Sequence, residues 1–266
     1  MMKIVVCVKA VPDPKEADKI RIDPETKTLI RDNVDLTINP LDKHALEAAL
    51  QLKKKFGATI TALSMGPPVA GAIVKESLAL GADHGILLSD RAFGGADAFA
   101  TAYTLSKAIE KIGQFDLVIC GMASSDGATE WVGPQIATFL QIPVVTMVNE
   151  LLHDSGERWL VKTAWENGYR KVEVQLPALL TVAREINKPK NLGFSGIIKA
   201  RKKEITTWSH EELDVSEECV GSRGSPTIVA DFGTLETARE VQMLEGSAEE
   251  KADQLVEILA ESGAIR

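Results

Sequence analysis

Residues 115–140 read FDLVICGMASSDGATEWVGPQIATFL, and this stretch decides the fold. Phe115 to Cys120 is a short run of aliphatic and β-branched residues, the pattern of a strand buried on both faces. Gly121 to Glu130 brings glycines, serines and an aspartate, the composition of a turn. From about Thr129 to Leu140 the apolar residues fall at helical spacing. Strand, glycine-bearing loop and helix in that order are the repeating unit of a parallel α/β sheet.

The same unit recurs on either side. Ile4 to Val11 is a first strand, broken by Pro12, Asp13 and Pro14. Residues 19–38 carry short alternating pieces around Asp23-Pro24-Glu25-Thr26, which predicts a small hairpin. Asn39-Pro40 opens a helix, Asn39 as its cap, with Leu41, Ala45, Ala49, Leu52 and Phe56 on one stripe and Gly57 as its stop. Thr59 to Ser64 is a strand, Gly66-Pro67-Pro68 a break and Gly71 to Leu80 a helix ending at Gly81. Gly85 to Ser89 is a strand, Ala96 to Ile112 a helix, and Pro143 to Val148 a further strand. Closely spaced strands follow at Arg158 to Ala164, Gly168 to Gln175 and Ala178 to Val182, with Asn167-Gly168 as a hairpin turn. The expected fold is α/β: a mostly parallel sheet with helices on both faces, Rossmann-like, with antiparallel edge strands. Residues 1–190 form this domain. Residues 191–266 form an extended C-terminal arm ending in an amphipathic helix over Ser247 to Ser262, with a Ser247…Glu250 capping box.

Composition excludes several classes. The 266 residues are 45% hydrophobic and 26% charged, too apolar for a disordered chain, and 20 Gly with 11 Pro are too few for collagen. A net charge of −8 argues against general nucleic-acid binding. No apolar run reaches the ~18 residues of a membrane span, and Ile4 to Val8 is too short for a secretory signal. A cytoplasmic location is expected. Lys199-Ala-Arg-Lys-Lys203 is read either as a solvated basic turn or as a docking segment.

Motifs of catalysis are missing: no G-x-G-x-x-G follows the first strand, and there is no Walker loop, H-E-x-x-H or G-x-S-x-G. His44, His84, His153 and His210 occupy unrelated positions. Cys7 and Cys120 fall inside buried strands, where core packing is the default. What remains are loops at strand ends, where parallel sheets bind ligands. Asn39–Asp42, Ser64–Pro68 and Gly121–Glu130 converge there, and the last leads into a helix N-terminus suited to a pyrophosphate. Asp126 suits a ribose hydroxyl or a helix cap. Arg91 to Ala100 is a further loop in which Gly94-Gly95 lets a ligand approach and Asp97 caps the next helix; loop plus cap is the reading preferred there.

Several motifs together carry a resemblance. C-V-K-x-V-P-D (Cys7–Asp13), N-P-x-D-x-x-A-L-E (Asn39–Glu47), S-M-G-P (Ser64–Pro67), S-D-R-A-F-x-G-A-D (Ser89–Asp97) and D-G-x-T-x-x-V-G-P-Q-I-A (Asp126–Ala137) resemble the β subunit of electron-transfer flavoproteins. K-A-R-K-K-E-I (Lys199–Ile205) and Gly224-Ser-Pro-Thr227 fit as well. The resemblance implies a nucleotide-binding subunit that pairs with an α subunit carrying FAD. Its nucleotide contacts fall on Cys7, on Asn39, Pro40, Leu41 and Asp42, on Met65, and on Gly121, Met122, Ala123, Ser124, Ser125, Asp126, Gly127, Ala128, Thr129, Glu130, Trp131 and Val132. No catalytic side chain and no metal ligand are implied. The third loop is similar to the electron-bifurcating group, in which the site holds a second FAD; respiratory members hold AMP. Met122-Ala-Ser-Ser125 and Ala128 depart from the bifurcating pattern and keep AMP as the alternative. The bifurcating reading implies NADH as hydride donor and ferredoxin or flavodoxin as one electron acceptor. A flavin-dependent dehydrogenase, of acyl-CoA or hydroxy-acid type, would dock near Phe194, and Lys9 to Asp13 would border the flavin and nicotinamide.

Overall fold

Strand β1 (Lys3–Cys7) is central to a computed structural model that describes residues 1–13, 15, 21–22, 29–30, 35–156, 158–230 and 241–265. Its side chains alternate: Ile4 and Val6 enter the core on one face of the sheet, Val5 and Cys7 the core on the other. Both faces are covered, which is why the run is continuously apolar. After Cys7 the chain leaves the sheet. Instead of running on to Val11, it starts a short strand β2 (Ala10–Pro12), which pairs antiparallel with β5 (Leu36–Ile38). Between them β3 (Arg21–Ile22) and β4 (Leu29–Ile30) form an antiparallel pair, the expected hairpin. Its turn, Asp23 to Thr26, lies outside the described residues.

Helix α1 (Pro40–Phe56) ends at Gly57, whose φ of 69° is the left-handed conformation a C-terminal cap requires. Strand β6 (Thr59–Met65), helix α2 (Gly71–Leu80), strand β7 (His84–Leu88) and helix α3 (Ala98–Ile112) follow. Then come β8 (Leu117–Gly121), α4 (Val132–Leu140) and the strands β9 (Val144–Ser155), β10 (Arg158–Trp165), β11 (Gly168–Gln175) and β12 (Ala178–Val182). Helix α4 starts three residues later than its apolar spacing predicts, because the preceding loop holds Ala128 and Glu130 at positive φ, 48° and 60°. The β10–β11 turn also sits one residue earlier than expected. Trp165 and Gly168 pair across it, so Glu166 and Asn167 form the loop.

The main sheet has nine strands in the order β11-β10-β9-β12-β8-β1-β6-β7-β13, where β13 is Thr206–Trp208. It is parallel from β9 to β13, with β10 and β11 antiparallel at one edge. The expected fold class is the observed one.

Residues after Arg184 are not simply extended. Helix α5 (Phe194–Arg201) packs on α2, with no room for a Cβ between Gly196 and the carbonyl of Ala79. Lys203 donates to the Ala82 carbonyl at 2.5 Å, and Lys75 donates to the carbonyl of Lys203. Part of the basic run therefore anchors this segment to α2 and to the turn that follows it. The chain forms two compact units, Met1–Ala230 and Asp231–Arg266. Within the second, α6 (Ala248–Glu261) carries both bonds of the Ser247–Glu250 capping box.

Past β13 the chain is strapped to the loop that follows β7. Asp90 accepts from the backbone N–H of Ala92 at 3.0 Å and of His210 at 3.1 Å, and lies 2.6 Å from His210 Nδ1. Glu217 Oε1 is 3.6 Å from His210 Nε2, and Arg223 pairs in turn with Glu217. The Asp90 carboxylate, with weaker help from Glu217 and Glu211, raises His210 above its ordinary pKa. The bond from His210 and the Ala92 N–H lower Asp90 to about 2. The histidine contribution is complete below its unfolded value of about 6.5 and is lost as pH rises through the raised value. The Asp90 contribution is present above about 4 and is lost as pH falls toward about 2. Protection factors over residues 206–227, in which the intrinsic pH dependence of amide exchange is divided out, are accordingly expected to be highest in mildly acidic buffer and to fall on the alkaline side of neutrality. In His210→Gln that alkaline fall should vanish.

Candidate nucleotide-binding cleft

Beyond the carboxyl ends of β1, β6, β7 and β8 the loops enclose a cleft of about 1400 Å³. Its floor is set by Asp42, in the first turn of α1 and 6% exposed. One carboxylate oxygen accepts from the Lys9 N–H at 2.8 Å and the other from the Gly121 N–H at 3.1 Å. Burial pushes this carboxyl up to about 7, against the opposing pull of the Lys9 and Gly121 amides and the Asn39 side chain. The close approach is possible because residue 121 is glycine. A Cβ there would sit 2.5 Å from Asp42 Oδ1 and 2.8 Å from the Leu41 carbonyl carbon.

Asn39 does something other than cap α1. Its side chain makes no capping bond to the helix backbone; the Nδ2 donates to the Ala123 carbonyl at 2.8 Å, and the Oδ1 accepts from the Ser125 N–H at 3.1 Å. The helix-capping expectation fails because the buried amide is claimed by the loop after β8. That loop is further braced by bonds from the Ala128 N–H to the Ser124 carbonyl and from the Gly127 N–H to Ser124 Oγ. Lys9 crosses to it, with its Nζ 2.6 Å from Asp126 Oδ1 and 3.4 Å from Ser124 Oγ. Burial would raise the Asp126 carboxyl, but the Lys9 ammonium more than offsets this and leaves it below its ordinary pKa. Asp126 thus pairs with a lysine and caps no helix. Helix α4 follows with no side-chain cap on its first amides.

The opposite wall comes from Gly66 to Pro68 and from Ser89 through Thr101. Here Asp97 does cap its helix: Oδ1 accepts from the Ala100 N–H at 2.9 Å. Its Oδ2 takes the Thr227 hydroxyl at 2.7 Å and the Thr227 N–H at 3.1 Å, which draws Pro226 and Thr227 onto the rim.

Of the residues expected at the site, Cys7, Asn39, Asp42 and Met65 line the cleft, as do Gly121 to Ser124, Gly127 and Thr129 to Val132. Pro40 and Leu41, at the start of α1, and Ser125, Asp126 and Ala128, in the loop after β8, are not part of that lining. Arg91 and Gly94-Gly95, for which a plain loop and helix cap was the preferred reading, face the cleft, as do Gln135 and Thr227, which were not expected as contacts. The glycine pair after β7 was the available signal. Gln135 is the informative omission, because its Oε1 is buried and has no hydrogen-bond partner in the protein.

The electron transfer flavoprotein domain matches residues 26–213. This chain belongs to the electron transfer flavoprotein family. It is a β-subunit member: it is 46% identical to the electron transfer flavoprotein subunit beta of Thermoanaerobacterium thermosaccharolyticum over 97% of this chain and 98% of the relative. Similarity to the subunit beta of Clostridium acetobutylicum is 44% over 99% of this chain and all of the relative. The caffeyl-CoA reductase-Etf complex subunit CarD of Acetobacterium woodii is 45% identical over 86% of each chain. A flavin or nucleotide role for the cleft accords with the family. No helix among the described residues of this β subunit is long and apolar enough to cross a membrane, and no group of three or more candidate metal-ligating side chains occurs among them.

Gly121→Ala tests the cleft floor. The added methyl must displace Asp42 or Leu41, so the variant is expected to lose ~1–3 kcal/mol of stability and most of its retained nucleotide. Urea unfolding and the absorbance of released nucleotide report the two effects separately.

Proposed function

We propose that this β subunit binds FAD in the cleft as part of an NADH-dependent, electron-bifurcating complex with an α subunit. The observation that carries the reading is the cleft itself. Its 1400 Å³ exceeds the ~300–1000 Å³ typical of small-ligand pockets, and the loop leading to the uncapped N-terminus of α4 borders it. The residues present fit a dinucleotide. Ser124, Thr129 and the first amides of α4 suit a pyrophosphate. The orphaned Gln135 Oε1 suits a hydroxyl or amino donor, and glycine at 127 with alanine at 128 adds no negative charge beside a diphosphate.

When bound, FAD would supply a two-electron acceptor for hydride from NADH and a source of single electrons for the α-subunit FAD and for ferredoxin or flavodoxin. The chain's own residues bind and orient. Asn39 holds the loop after β8 in place, Asp42 fixes the cleft floor, and Lys9 neutralises Asp126 where the phosphates approach. No side chain needs to act as an acid or a base. The match to a subunit of a caffeyl-CoA reductase–Etf complex supports an acyl-CoA dehydrogenase-type partner. Phe194, 78% exposed at the start of α5, suits that partner's docking surface, with Lys199 and Arg201 in the last turn of the same helix.

Cofactor content tests the first part. The native heterodimer, denatured and resolved by chromatography, is expected to release FAD from both subunits and no AMP. FAD from one subunit together with AMP would establish the respiratory alternative. The second part is tested by Phe194→Ala, which should slow electron transfer to the dehydrogenase several-fold with nucleotide content unchanged. Unaltered transfer kinetics would move the docking surface elsewhere.

A further inference from the structure

The floor of the cleft holds two thiols that the nucleotide reading leaves unused. Strands β1 and β8 are parallel neighbours in register Ile4↔Leu117, Val5↔Val118 and Val6↔Ile119, so the next step sets Cys7 opposite Cys120. Both side chains enter the same core, on the α3/α4 face of the sheet. Both line the cleft while being only 8% and 6% exposed, and the neighbouring Cys7 thiol together with burial holds the Cys120 thiol well above its ordinary pKa. Neither takes part in a disulfide, and Cys219 is exposed on the strap after β13.

We propose that Cys7 and Cys120 are a redox modification site: a thiol pair that closes to a disulfide when the cleft is empty and is shielded when nucleotide fills it. Parallel strands stand ~4.7–4.9 Å apart, inside the ~4.4–6.8 Å range of Cα separations that a disulfide spans. The Cβ atoms of a relaxed disulfide approach to about 3.8 Å, so closure draws the two strand ends together. A bond formed at that cost is readily reduced, as suits a reversible modification. In the reaction two S–H bonds break and one S–S bond forms. Both electrons and both protons pass to the oxidant, a small-molecule disulfide or an azo compound such as diamide.

Closure has a consequence for binding. Cys7 lies two residues before Lys9 and Cys120 immediately precedes Gly121, and the N–H groups of Lys9 and Gly121 are the two that hold Asp42. Pulling β1 toward β8 therefore shifts the amides that fix the cleft floor. The shielding half of the proposal rests on the cleft being the nucleotide site; the thiol pair itself does not.

The test uses the heterodimer carrying Cys219→Ser, so that the exposed thiol does not react. One sample keeps its nucleotide and another is stripped of it. Both are treated with diamide, blocked with N-ethylmaleimide and mapped by mass spectrometry without reduction. The stripped sample is expected to yield the Cys7 peptide joined to the Cys120 peptide, released by dithiothreitol, and the loaded sample little of it. Rebinding of added FAD or AMP, followed by fluorescence or retained absorbance, should be mostly lost after oxidation and restored by reduction. In Cys7→Ser, oxidation should leave rebinding at that variant's own level. Two alkylated thiols in the stripped, diamide-treated sample would overturn the proposal. Equal linkage in loaded and stripped samples would overturn the shielding. If reduced, stripped heterodimer takes up neither FAD nor AMP, the reading of the cleft fails together with the shielding, while the linked peptide still reports the pair.

Discussion

Everything at the functional end of this molecule depends on one buried carboxylate. Asp42 reaches from the start of α1 to the backbone N–H groups of Lys9 and Gly121, two residues past β1 and at the last residue of β8. Lys9 lies beyond β1, and Gly121 pairs with Val182 of β12 while the β1–β8 ladder ends at Val6 and Ile119, so Asp42 ties together two strand ends that no longer pair with each other. Burying an acid at such a position is unfavourable unless its acceptors are filled. Here each oxygen has a backbone donor, and the opposition between burial and hydrogen bonding leaves the group close to neutral pH, at about 7. The cleft floor is consequently a charge-assisted junction between loops, with Asn39 making the matching junction to the next turn of the β8 loop.

The sheet itself was legible from periodicity. Apolar runs such as Phe115 to Cys120 and Ile4 to Cys7 can be satisfied only between two layers, and Gly57 and Gly81 stop their helices where the pattern ends. Legibility fails where a residue has a partner far along the chain. Asn39 precedes a proline at a helix start, and local preference makes it a cap; its actual partners, Ala123 and Ser125, are more than eighty positions away. Val8 to Val11 is as apolar as the strand before it, yet the chain turns off so that Lys9 can meet Asp42 and Asp126. The strap from β13 to Thr227 was hidden for the same reason. Its hold on the body comes from Asp90 and Asp97, which local sequence marks only as turn and cap residues.

The loop after β8 shows how strain and function coincide. Ala128 and Glu130 both adopt the left-handed region, which costs a residue with a Cβ ~1–2 kcal/mol. A turn with glycine at both positions would avoid that cost. The conformation persists because Ser124, Asn39 and Lys9 each tie the loop down from a different direction. Such over-determined backbone is concentrated where a ligand must meet amides already in position. This accords with a binding role for the segment.

The two walls of the cleft differ in polarity, and that difference argues for how a nucleotide would lie in it. On the α4 side the first amides have no side-chain cap, the neighbouring acid Asp126 is paired with Lys9, and Ser124 and Thr129 offer hydroxyls. On the α3 side the helix amides are already taken by Asp97, and Asp90 is spoken for by His210. An anionic group gains hydrogen bonds at the first wall and meets fixed carboxylates at the second. The pyrophosphate of the proposed FAD would therefore lie against α4, leaving the Gly94-Gly95 side, with its small residues and Arg91, for the less charged parts of a ligand. The chain's net charge of −8 says nothing of this; the preference arises from which amides and carboxylates the fold has already paired.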